Sequence, residues 1–211
     1  MEKETITIRK IKDGKITDKE DEVAIEYQMD FDLKNGKRVS VTCTPAYLEE
    51  MILGRRFSLG DLTKQDLGIG ESVPLTYVKL EDIFRIAGSM FENPGSLFKD
   101  TGCAHSCVLV MDGKVLFSVE DIGRHNALDK VIGYALKHQI PIPKCVVFSS
   151  GRISKDYLQK AIDAGFKIVV SRAAVTGSAV TLAKKENVTL LGFIRKGAGN
   201  IYHEGLVSLK E

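Results

Sequence analysis

Residues 120–133 read EDIGRHNALDKVIG, and two patterns that decide the fold meet in this stretch. Before it, apolar runs flank Asp112-Gly113, a dipeptide typical of a two-residue β-hairpin turn because both residues accept positive φ. After the stretch begins, apolar residues recur at helical spacing, at Ala127, Leu128, Val131, Ile132 and Leu136. The sequence therefore predicts that a hairpin strand ends and a helix begins here.

The first part of this stretch, Glu120 to Asn126, concentrates polar side chains at the predicted helix start. Free backbone N–H groups at a helix N-terminus attract anions. Arg124 and His125 would add donors, and Asp121 would orient them through hydrogen bonds. The alternative is a capped helix with a salt-bridged first turn. The density of polar groups favours a functional site.

From residue 97 onward, apolar strands alternate with helices, which predicts an α/β domain with its sites at the carboxyl ends of strands. Strands are predicted at 145–148, 167–170 and 188–193, and helices at 153–164 and 176–185. Polar, glycine-containing segments occupy three strand ends, at 120–126, 149–152 and 195–200. We expect these three segments to converge on one cleft.

The preceding residues, 1–95, predict a smaller and mainly antiparallel β unit with helices, and 96–211 predict the C-terminal domain. Alternating residues predict strands at 5–9, 23–31 and 38–43, whereas the charged run 12–22 is interpreted as a solvated loop. Helices are predicted from Thr44-Pro45 to a stop at Gly54, over 62–67 and over 80–91.

The balance of charge limits the class of protein. Net charge is +2, from 30 basic and 28 acidic residues, whereas nucleic-acid-binding proteins are usually strongly basic. The charged start Met1-Glu-Lys-Glu lacks the apolar run of a signal peptide, and no stretch approaches the ~18 apolar residues of a membrane span. We therefore expect a cytoplasmic protein, with neither nucleic acid nor membrane as a partner. Its cysteines (Cys43, Cys103, Cys107, Cys145) should be mostly reduced.

Two further segments have the composition of an anion site. Ser149-Ser150-Gly151-Arg152 follows an apolar strand, and its hydroxyls, glycine and adjoining helix start predict a phosphate cradle in which Arg152 grips an oxyanion. The alternative is a capped helix with an exposed arginine. Arg195-Lys196-Gly197 suggests a second anion contact, and the alternative there is a flexible basic loop.

Cys103, His105 and Cys107 alternate, so they would share one face of a strand. One interpretation is a reactive thiol pair, because His105 and a cationic cleft would lower a thiol pKa. Another is a zinc site with His125 as the fourth ligand. A third is two small buried cysteines. The residues alone leave all three open.

Three motifs together resemble the formate dehydrogenase accessory sulfurtransferase family, FdhD. They are T-G-x-x-H at Thr101–His105, the stretch EDIGRHNALDKVIG, and SGRIS at Ser150–Ser154. The likeness runs from about residue 97 to residue 202, and Thr44-Pro45 extends it more loosely. The resemblance implies a C-terminal cytidine-deaminase-like α/β/α sandwich and a cytoplasmic homodimer, with formate dehydrogenase and a cysteine desulfurase as partners.

The resemblance also implies a bound ligand, the molybdenum or tungsten bis(molybdopterin guanine dinucleotide) cofactor of the dehydrogenase. In the family, the segment that matches Phe193 to Ala198 contacts this ligand. The cofactor-binding candidates are therefore Phe193, Ile194, Arg195, Lys196, Gly197, Ala198, Asp121, Gly123, Arg124, His125, Asn126, Ser150, Gly151 and Arg152. A catalytic metal of the protein's own is not expected.

The chain departs from the family where sulfur would be carried. FdhD sulfur carriers bear a C-x-x-C pair upstream of T-G-x-x-H, and the first cysteine holds a persulfide, whereas residues 55–99 contain no cysteine. Cys103, Cys107 and His105 are therefore the catalytic candidates, with the two thiols replacing the missing pair.

Three functions follow as hypotheses. The first is a formate dehydrogenase maturation factor that binds the bis-pterin cofactor and assists its sulfuration or insertion. The second is a cofactor-binding chaperone without sulfur transfer. The third is a metal-dependent hydrolase that uses Cys103, His105, Cys107 and His125. Deamination is not expected, because no glutamate stands two residues after His125.

Overall fold

The computed structural model describes residues 2–92, 95–195 and 197–211, apart from the side chain of Phe91. The chain begins with two antiparallel ribbons, β1 (Lys3–Lys12) with β2 (Lys15–Ala24) and β3 (Tyr27–Asp32) with β4 (Arg38–Cys43). The predicted antiparallel character of this part is confirmed. The predicted loop over 12–22 is wrong, because β2 is exposed on both faces over much of its length and therefore shows no apolar alternation.

The connection to the C-terminal part contains helix α1 (Leu48–Ser58), strand β5 (Tyr77–Lys79) and helix α2 (Leu80–Glu92). α1 begins later than Pro45, because Tyr47 before it has a left-handed φ of 56°. The predicted helix over 62–67 is absent. There, the backbone N–H of Thr63 donates to Asp66 Oδ2 at 2.7 Å and closes a turn.

The C-terminal part alternates helices and strands, as predicted. Its elements are α3 (Ser96–Thr101), β6 (His105–Met111), β7 (Lys114–Asp121), α4 (Arg124–Lys137), a 3-10 turn (Ile142–Lys144), β8 (Cys145–Ser149), α5 (Lys155–Ala164), β9 (Ile168–Ser171), α6 (Gly177–Lys185), β10 (Thr189–Arg195), β11 (Ala198–His203) and β12 (Ser208–Lys210).

Six of these strands form one mixed sheet in the order β11-β10-β9-β8-β6-β7. β8, β9 and β10 are parallel, while β6 pairs antiparallel with both β7 and β8. β7 to β10 therefore all run in one direction. The carboxyl ends of strands that run in the same direction lie at one border of a sheet. The loops that follow these four strands therefore all lie at the same border.

The sheet is buried on both faces. Cys107 and Leu109 of β6 pack in a core with α4 and α5, whereas Val108 and Val110 pack on the opposite face with α2. Burial on both faces explains why the strands read as continuous apolar runs. Within the described ranges, no helix is long and apolar enough to cross a membrane.

α1 and α4 pack with their backbones in close approach. A Cβ at Gly54 would collide with the carbonyl of Asp129, and a Cβ at Gly133 would collide with the carbonyl of Glu50. Gly54 was predicted to end α1, but the helix continues through it to Ser58. Gly54 is there because the crossing leaves no room for a side chain. The division at residue 95 stays a prediction, although the two parts share this contact.

Candidate functional site at the carboxyl edge of the sheet

The carboxyl ends of β7, β8, β9 and β10 share one border of the sheet, and β6 begins there. We call this border the carboxyl edge. Segments 120–126, 149–152 and 195–200 follow β7, β8 and β10, so the topology brings all three to this edge. Their convergence on one cleft stays a prediction. Lys196, within the third segment, lies outside the described residues.

Asp121 ends β7 and is fully buried. Its Oδ2 lies 2.7 Å from Lys130 Nζ and accepts the backbone N–H of Thr44 at 3.1 Å. Its Oδ1 accepts from the N–H of Gly123 and from Asn126 Nδ2, both at 2.9 Å. These partners occupy the carboxylate. Asp121 therefore holds the start of α4 in place and does not orient Arg124 or His125 as expected.

Arg124, His105 and Gly151 meet at the carboxyl edge. A Cβ at Gly151 would lie 3.1 Å from Arg124 Cβ and 3.2 Å from His105 Nδ1, so a side chain at this position would press on both neighbours. The pKa of His105 is lowered, first by burial and then by the positive charges of Arg124 and Arg152. Since both arginines act on one imidazole, they concentrate positive charge around it, and the imidazole itself stays neutral.

Gly151 is held at both backbone groups. Its N–H donates to Ser149 Oγ at 3.1 Å, and its carbonyl accepts from Ser171 Oγ at 2.8 Å. Ser150 Oγ accepts the backbone N–H of Ser106 at 2.8 Å. The Gly151 backbone and the Ser150 hydroxyl thus already have partners within the protein, and α5 begins only at Lys155. The phosphate cradle stays a prediction. Arg152, exposed beside the fixed loop, is the group of this segment available to an anion.

His125 faces α5. Its Nε2 lies 3.3 Å from Asp156 Oδ2, and its ring packs against Tyr157 with centroids 5.4 Å apart. Burial and then the charge of Lys160 lower its pKa. Asn126 is buried, donates to the Thr42 carbonyl at 2.7 Å and contributes to the anchoring of α4. His125 and Asn126 thus connect α4 to its neighbours.

A buried ionic network behind the edge was not anticipated from the sequence. Asp129 is fully buried and pairs with Lys160 Nζ at 2.7 Å and with Arg55 Nη1 at 3.2 Å. Ser58 Oγ donates to the same carboxylate at 2.9 Å. The sequence did contain a signal for this network, because Asp129 and Lys130 lie between the apolar residues of the predicted helix. Charged side chains at buried positions require charged or polar partners.

The cysteines separate into one exposed and three buried thiols. Cys107 is fully buried, its Sγ lies 3.7 Å from Tyr157 Oη, and burial raises its pKa to about 12. Such a thiol stays protonated and is a poor nucleophile. The expectation that Cys107 supplies a reactive thiol is therefore not supported. Cys103 is exposed just before β6, after Gly102 with φ 67°.

The proposed zinc ligands do not assemble. Among the described residues, no group of three or more His, Cys, Asp and Glu side chains is placed to hold a metal ion. Cys103 precedes β6, so it does not continue the alternation of His105 and Cys107 along the strand. The geometry therefore gives no support to a site made by Cys103, His105, Cys107 and His125.

β10, which leads into the third segment, contains a strained residue. Phe193 has φ 53° at a β-bulge between β10 and β11, and its side chain is exposed. A positive φ is uncommon for a bulky residue and often marks a functional position. Arg195 is exposed nearby, whereas Ile194 is a core residue. The carboxyl edge thus has an aromatic ring and a cation at this end.

Arg172 was missed by sequence reasoning. It follows β9 directly, and burial followed by the charge of Arg195 lowers its pKa. The rule that pointed to the other segments, a polar residue at the carboxyl end of a strand, applies to Arg172 as well. The edge therefore has two groups of cations, Arg124 with Arg152 and Arg172 with Arg195.

Known proteins share this architecture. The FdhD/NarQ family model matches residues 68–206. "Sulfur carrier protein FdhD" of Halalkalibacterium halodurans is 33% identical, with 94% of this chain and 92% of that protein covered. "Protein FdhD" of Methanocaldococcus jannaschii is 34% identical, with 95% and 96% covered.

A solved structure is also similar. It is the crystal structure of a candidate formate dehydrogenase accessory protein from Desulfotalea psychrophila, which superposes with a TM-score of 0.85 at 26% identity and covers 95% of this chain and 96% of that one. The resemblance drawn from the three motifs is thereby confirmed. The chain belongs to the FdhD/NarQ family.

Proposed function

We propose that this protein is a formate dehydrogenase maturation factor whose carboxyl edge binds the dehydrogenase's bis-pterin guanine dinucleotide cofactor, with molybdenum or tungsten, as cargo. It then assists sulfuration or insertion of that cargo in the cytoplasm, with the dehydrogenase as partner. The names of the relatives, a sulfur carrier protein and a formate dehydrogenase accessory protein, support this proposal. The strand order of the sheet is consistent with a deaminase-like sandwich as the scaffold.

The observation that carries the proposal is the concentration of cations at the carboxyl edge. Arg124 and Arg152 both act on the half-buried His105, and Arg172 lies close enough to Arg195 for its pKa to be lowered. The cargo is elongated and carries pyrophosphate groups, and guanidinium groups bind phosphate oxygens through paired hydrogen bonds. Gly151 packs against Arg124 and His105, so the segment that carries Arg152 lies beside both side chains.

Different side chains of the protein would bind different parts of the cargo. Arg152 and Arg195 are exposed and would bind phosphate oxygens, while the ring of Phe193 offers an aromatic surface for a base. His105 is neutral because its pKa is lowered, so it would donate or accept a hydrogen bond without adding charge. When bound, the cargo supplies the metal and pterin chemistry of the dehydrogenase. The protein orients the cargo and keeps it at the edge.

Guanosine diphosphate tests this site, because it carries the guanine and pyrophosphate of the cargo. We expect titration calorimetry to show binding that Arg152→Gln weakens about tenfold or more, since hydrogen bonds to charged groups contribute ~1.5–3 kcal/mol. Arg38→Gln removes an exposed guanidinium on β4, away from the edge, and is the matched control. Equal affinities for wild type, Arg152→Gln and Arg38→Gln would contradict the proposal.

Sulfur transfer, if this protein performs it, would use Cys103, because burial makes Cys107 and Cys145 poor nucleophiles with pKa values of about 12. The Cys103 thiolate would attack the outer sulfur of a cysteine desulfurase persulfide. The new S–S bond then forms on Cys103, and the desulfurase cysteine leaves as a thiolate. His105 follows two residues later at the start of β6, where the charges of Arg124 and Arg152 act on it.

The second candidate, a cofactor-binding chaperone without sulfur transfer, is favoured by the lack of cysteine in residues 55–99 and by the burial of Cys107. Intact mass after incubation with a cysteine desulfurase and cysteine distinguishes the two. A reducible gain of one sulfur atom that Cys103→Ala abolishes and Cys145→Ala retains supports the carrier. No gain in mass of the wild type would support the chaperone without sulfur transfer. The guanosine diphosphate titration tests cofactor binding independently of this experiment.

A further inference from the structure

A cavity lies between α2 and the face of the sheet that this helix covers, and its volume is about 250 Å³. Val110, Val146 and Phe148 of the sheet form its floor. Ile83 and Ile86 of α2 form one wall. Each of these side chains is at most 4% exposed, so the bottom of the cavity is part of the apolar core. We call this space the α2 cavity.

The α2 cavity opens at the border of the sheet opposite the carboxyl edge. Asp112-Gly113 at its mouth is the turn that follows β6, whereas the carboxyl edge lies where β6 begins at His105. β6 has 7 residues, which corresponds to roughly 20 Å between the two borders. A ligand in this cavity would therefore be separate from the proposed cargo at the carboxyl edge.

Two acidic side chains lie at the mouth of the α2 cavity, Asp82 of α2 and Asp112 of the turn. A Cβ at Gly113 would lie 3.0 Å from Asp82 Oδ1 and 3.1 Å from Asp82 Oδ2, so this carboxylate lies directly against the turn. The two carboxylates therefore share one side of the mouth. Arg85 Nη2 donates to Asp82 Oδ1 and to the Gly113 carbonyl, both at 2.6 Å, so the charge of Asp82 is already balanced.

Asp112 is the carboxylate that is left for a ligand. Lys79 also lines the cavity, but its Nζ lies 3.9 Å from Glu81 Oε1, and that carboxylate offsets its charge. No lysine, arginine or histidine of the described ranges forms an ion pair with Asp112. Burial, and after it the charge of Asp112, raises the pKa of the Cys145 thiol to about 12, so this charge is felt in the core. The mouth therefore keeps one negative charge that a cationic ligand can meet.

Tyr77 of β5 places an aromatic ring at the same mouth, and the residue is 43% exposed. Lys210 Nζ lies over this ring, 3.8 Å from its centre, so the ring already accepts an ammonium group on its face. Aromatic faces and carboxylates both attract organic cations. The α2 cavity thus combines two groups that attract an ammonium ion with an apolar floor.

We propose that the α2 cavity binds a small organic cation, namely a primary amine on a short aromatic or branched apolar body. The apolar body would lie on Phe148 between Ile83 and Ile86, and the ammonium group would lie at the mouth beside Asp112. The size agrees with this class, because a cavity of roughly 150 Å³ is already enough for benzene. Burial of the apolar body supplies affinity, and Asp112 selects the charge of the head group.

Phenethylamine is the probe, because it joins one aromatic ring to a primary ammonium group through a short link. An NMR titration of the full chain should give a dissociation constant of about 1 mM or less, which is an ordinary efficiency for so small a ligand. The midpoint of thermal unfolding should rise with its concentration, since the amine binds the folded state. Phenethyl alcohol and hydrocinnamate keep the ring and change the head group. The alcohol should bind about threefold more weakly than the amine, and hydrocinnamate more weakly still.

Two variants test where the amine binds. Asp112→Asn keeps the turn, because Asn-Gly suits it as well as Asp-Gly does, and it should reduce the affinity for the amine to that for the alcohol. Val78→Phe enlarges a half-buried residue of β5 that lines the cavity, and it should abolish binding of both molecules. Asp112→Asn changes an exposed side chain, so it decides the question even where Val78→Phe loses its fold.

Asp13→Asn is the matched control, because Asp13 also precedes a glycine in a hairpin turn and has φ 50°, against 51° at Asp112. This variant should bind phenethylamine like the wild type. Because the β1–β2 turn does not line the α2 cavity, a loss of affinity in Asp112→Asn alone assigns the amine to this mouth.

The proposal is overturned if phenethylamine does not bind, if hydrocinnamate binds as tightly as the amine, or if Asp112→Asn binds the amine as the control does. Displacement of the amine by guanosine diphosphate would also overturn it, because the amine would then lie at the carboxyl edge. Simultaneous binding of both ligands supports two separate sites. Guanosine diphosphate binding is measured in its own titration, so failure of this proposal is distinct from failure of the proposed function.

Discussion

Lys130 and Asp121 form an ion pair that connects the start of α4 to the N-terminal part of the chain. Both side chains are fully buried, and Lys130 Nζ also donates to Thr44 Oγ1 at 2.7 Å and to the Thr44 carbonyl at 3.2 Å. Each charged group is thereby satisfied in a region without solvent. Removal of one partner leaves the other charge buried and unpaired.

Lys130→Met should therefore lower the free energy of unfolding by about 3–5 kcal/mol, measured by urea denaturation. The control is Lys185→Met in α6, which removes an exposed lysine whose Nζ pairs with Glu186 at 3.2 Å at the surface. Exposed ion pairs contribute ~0–1 kcal/mol. A similar decrease in the free energy of unfolding in both variants would contradict the prediction that the buried Lys130–Asp121 pair costs more to break than an exposed pair.

His105 and His125 make stability depend on pH. Burial is the main cause that lowers the pKa of both side chains, so folding keeps them neutral where the unfolded chain binds protons at about pH 6.5. Because the unfolded state binds more protons, their contribution is present above pH 6.5 and is lost as the pH falls below it. The urea midpoint should fall from pH 7.5 to 5.5, and His105→Gln should flatten this slope. An unchanged slope in that variant would contradict the assignment.

Single residues were the least predictable level. The sequence pointed to Arg124, His105 and Arg152, and the structure brings them together around Gly151. It did not show that the amide of Gly151 is occupied by Ser149 or that Cys107 faces the core. Both depend on which side of a strand end faces inward, and the alternation of β6 stops at His105, before Cys103.

At the scale of elements, α1 and α4 determine how the N-terminal part meets the sheet. Gly54 and Gly133 let the two backbones approach until a Cβ at either position would overlap a carbonyl of the facing helix. Elsewhere glycine weakens a helix by roughly 1 kcal/mol relative to alanine. The two effects oppose each other, and contact with rigid backbone should dominate at this crossing.

Gly133→Ala should thus destabilise the protein by about 1–3 kcal/mol, as overpacking does. Gly88→Ala in α2 is the matched substitution, because nothing lies within 4 Å of the added methyl group, and it should stabilise by ~0.5–1 kcal/mol. Urea denaturation of both variants measures the difference. Equal effects of the two substitutions would contradict this prediction, because they would mean that α1 and α4 move apart at little cost in stability.

Elements with apolar periodicity were predicted well, and elements without it were not. α4 and the strands β8 to β10 carry continuous apolar patterns because they are buried. β2 is a strand with charged residues on both faces, so no period was visible, and only the Asp13-Gly14 turn could have revealed it. The order of strands in the sheet is a tertiary property that no local pattern contains.

For the whole molecule, the N-terminal and C-terminal parts share packing on both sides of the sheet. α1 lies against α4 on one face, and Ile83 and Ile86 of α2 enter the core of the other face. β5 pairs in parallel with β12 near the end of the chain. The carboxyl edge therefore depends on contacts from both sides of the predicted boundary at residue 95.

This shared core predicts one cooperative unfolding transition for residues 2–211 and no stable fold for a 96–211 fragment, because the fragment would expose the faces that α1 and α2 cover. Thermal unfolding followed by circular dichroism in the peptide and aromatic regions should give coincident curves. Gly133→Ala should move both curves together, since it acts at the contact between the two parts. Two separate transitions, or a fragment 96–211 that unfolds cooperatively by itself, would instead show independent domains.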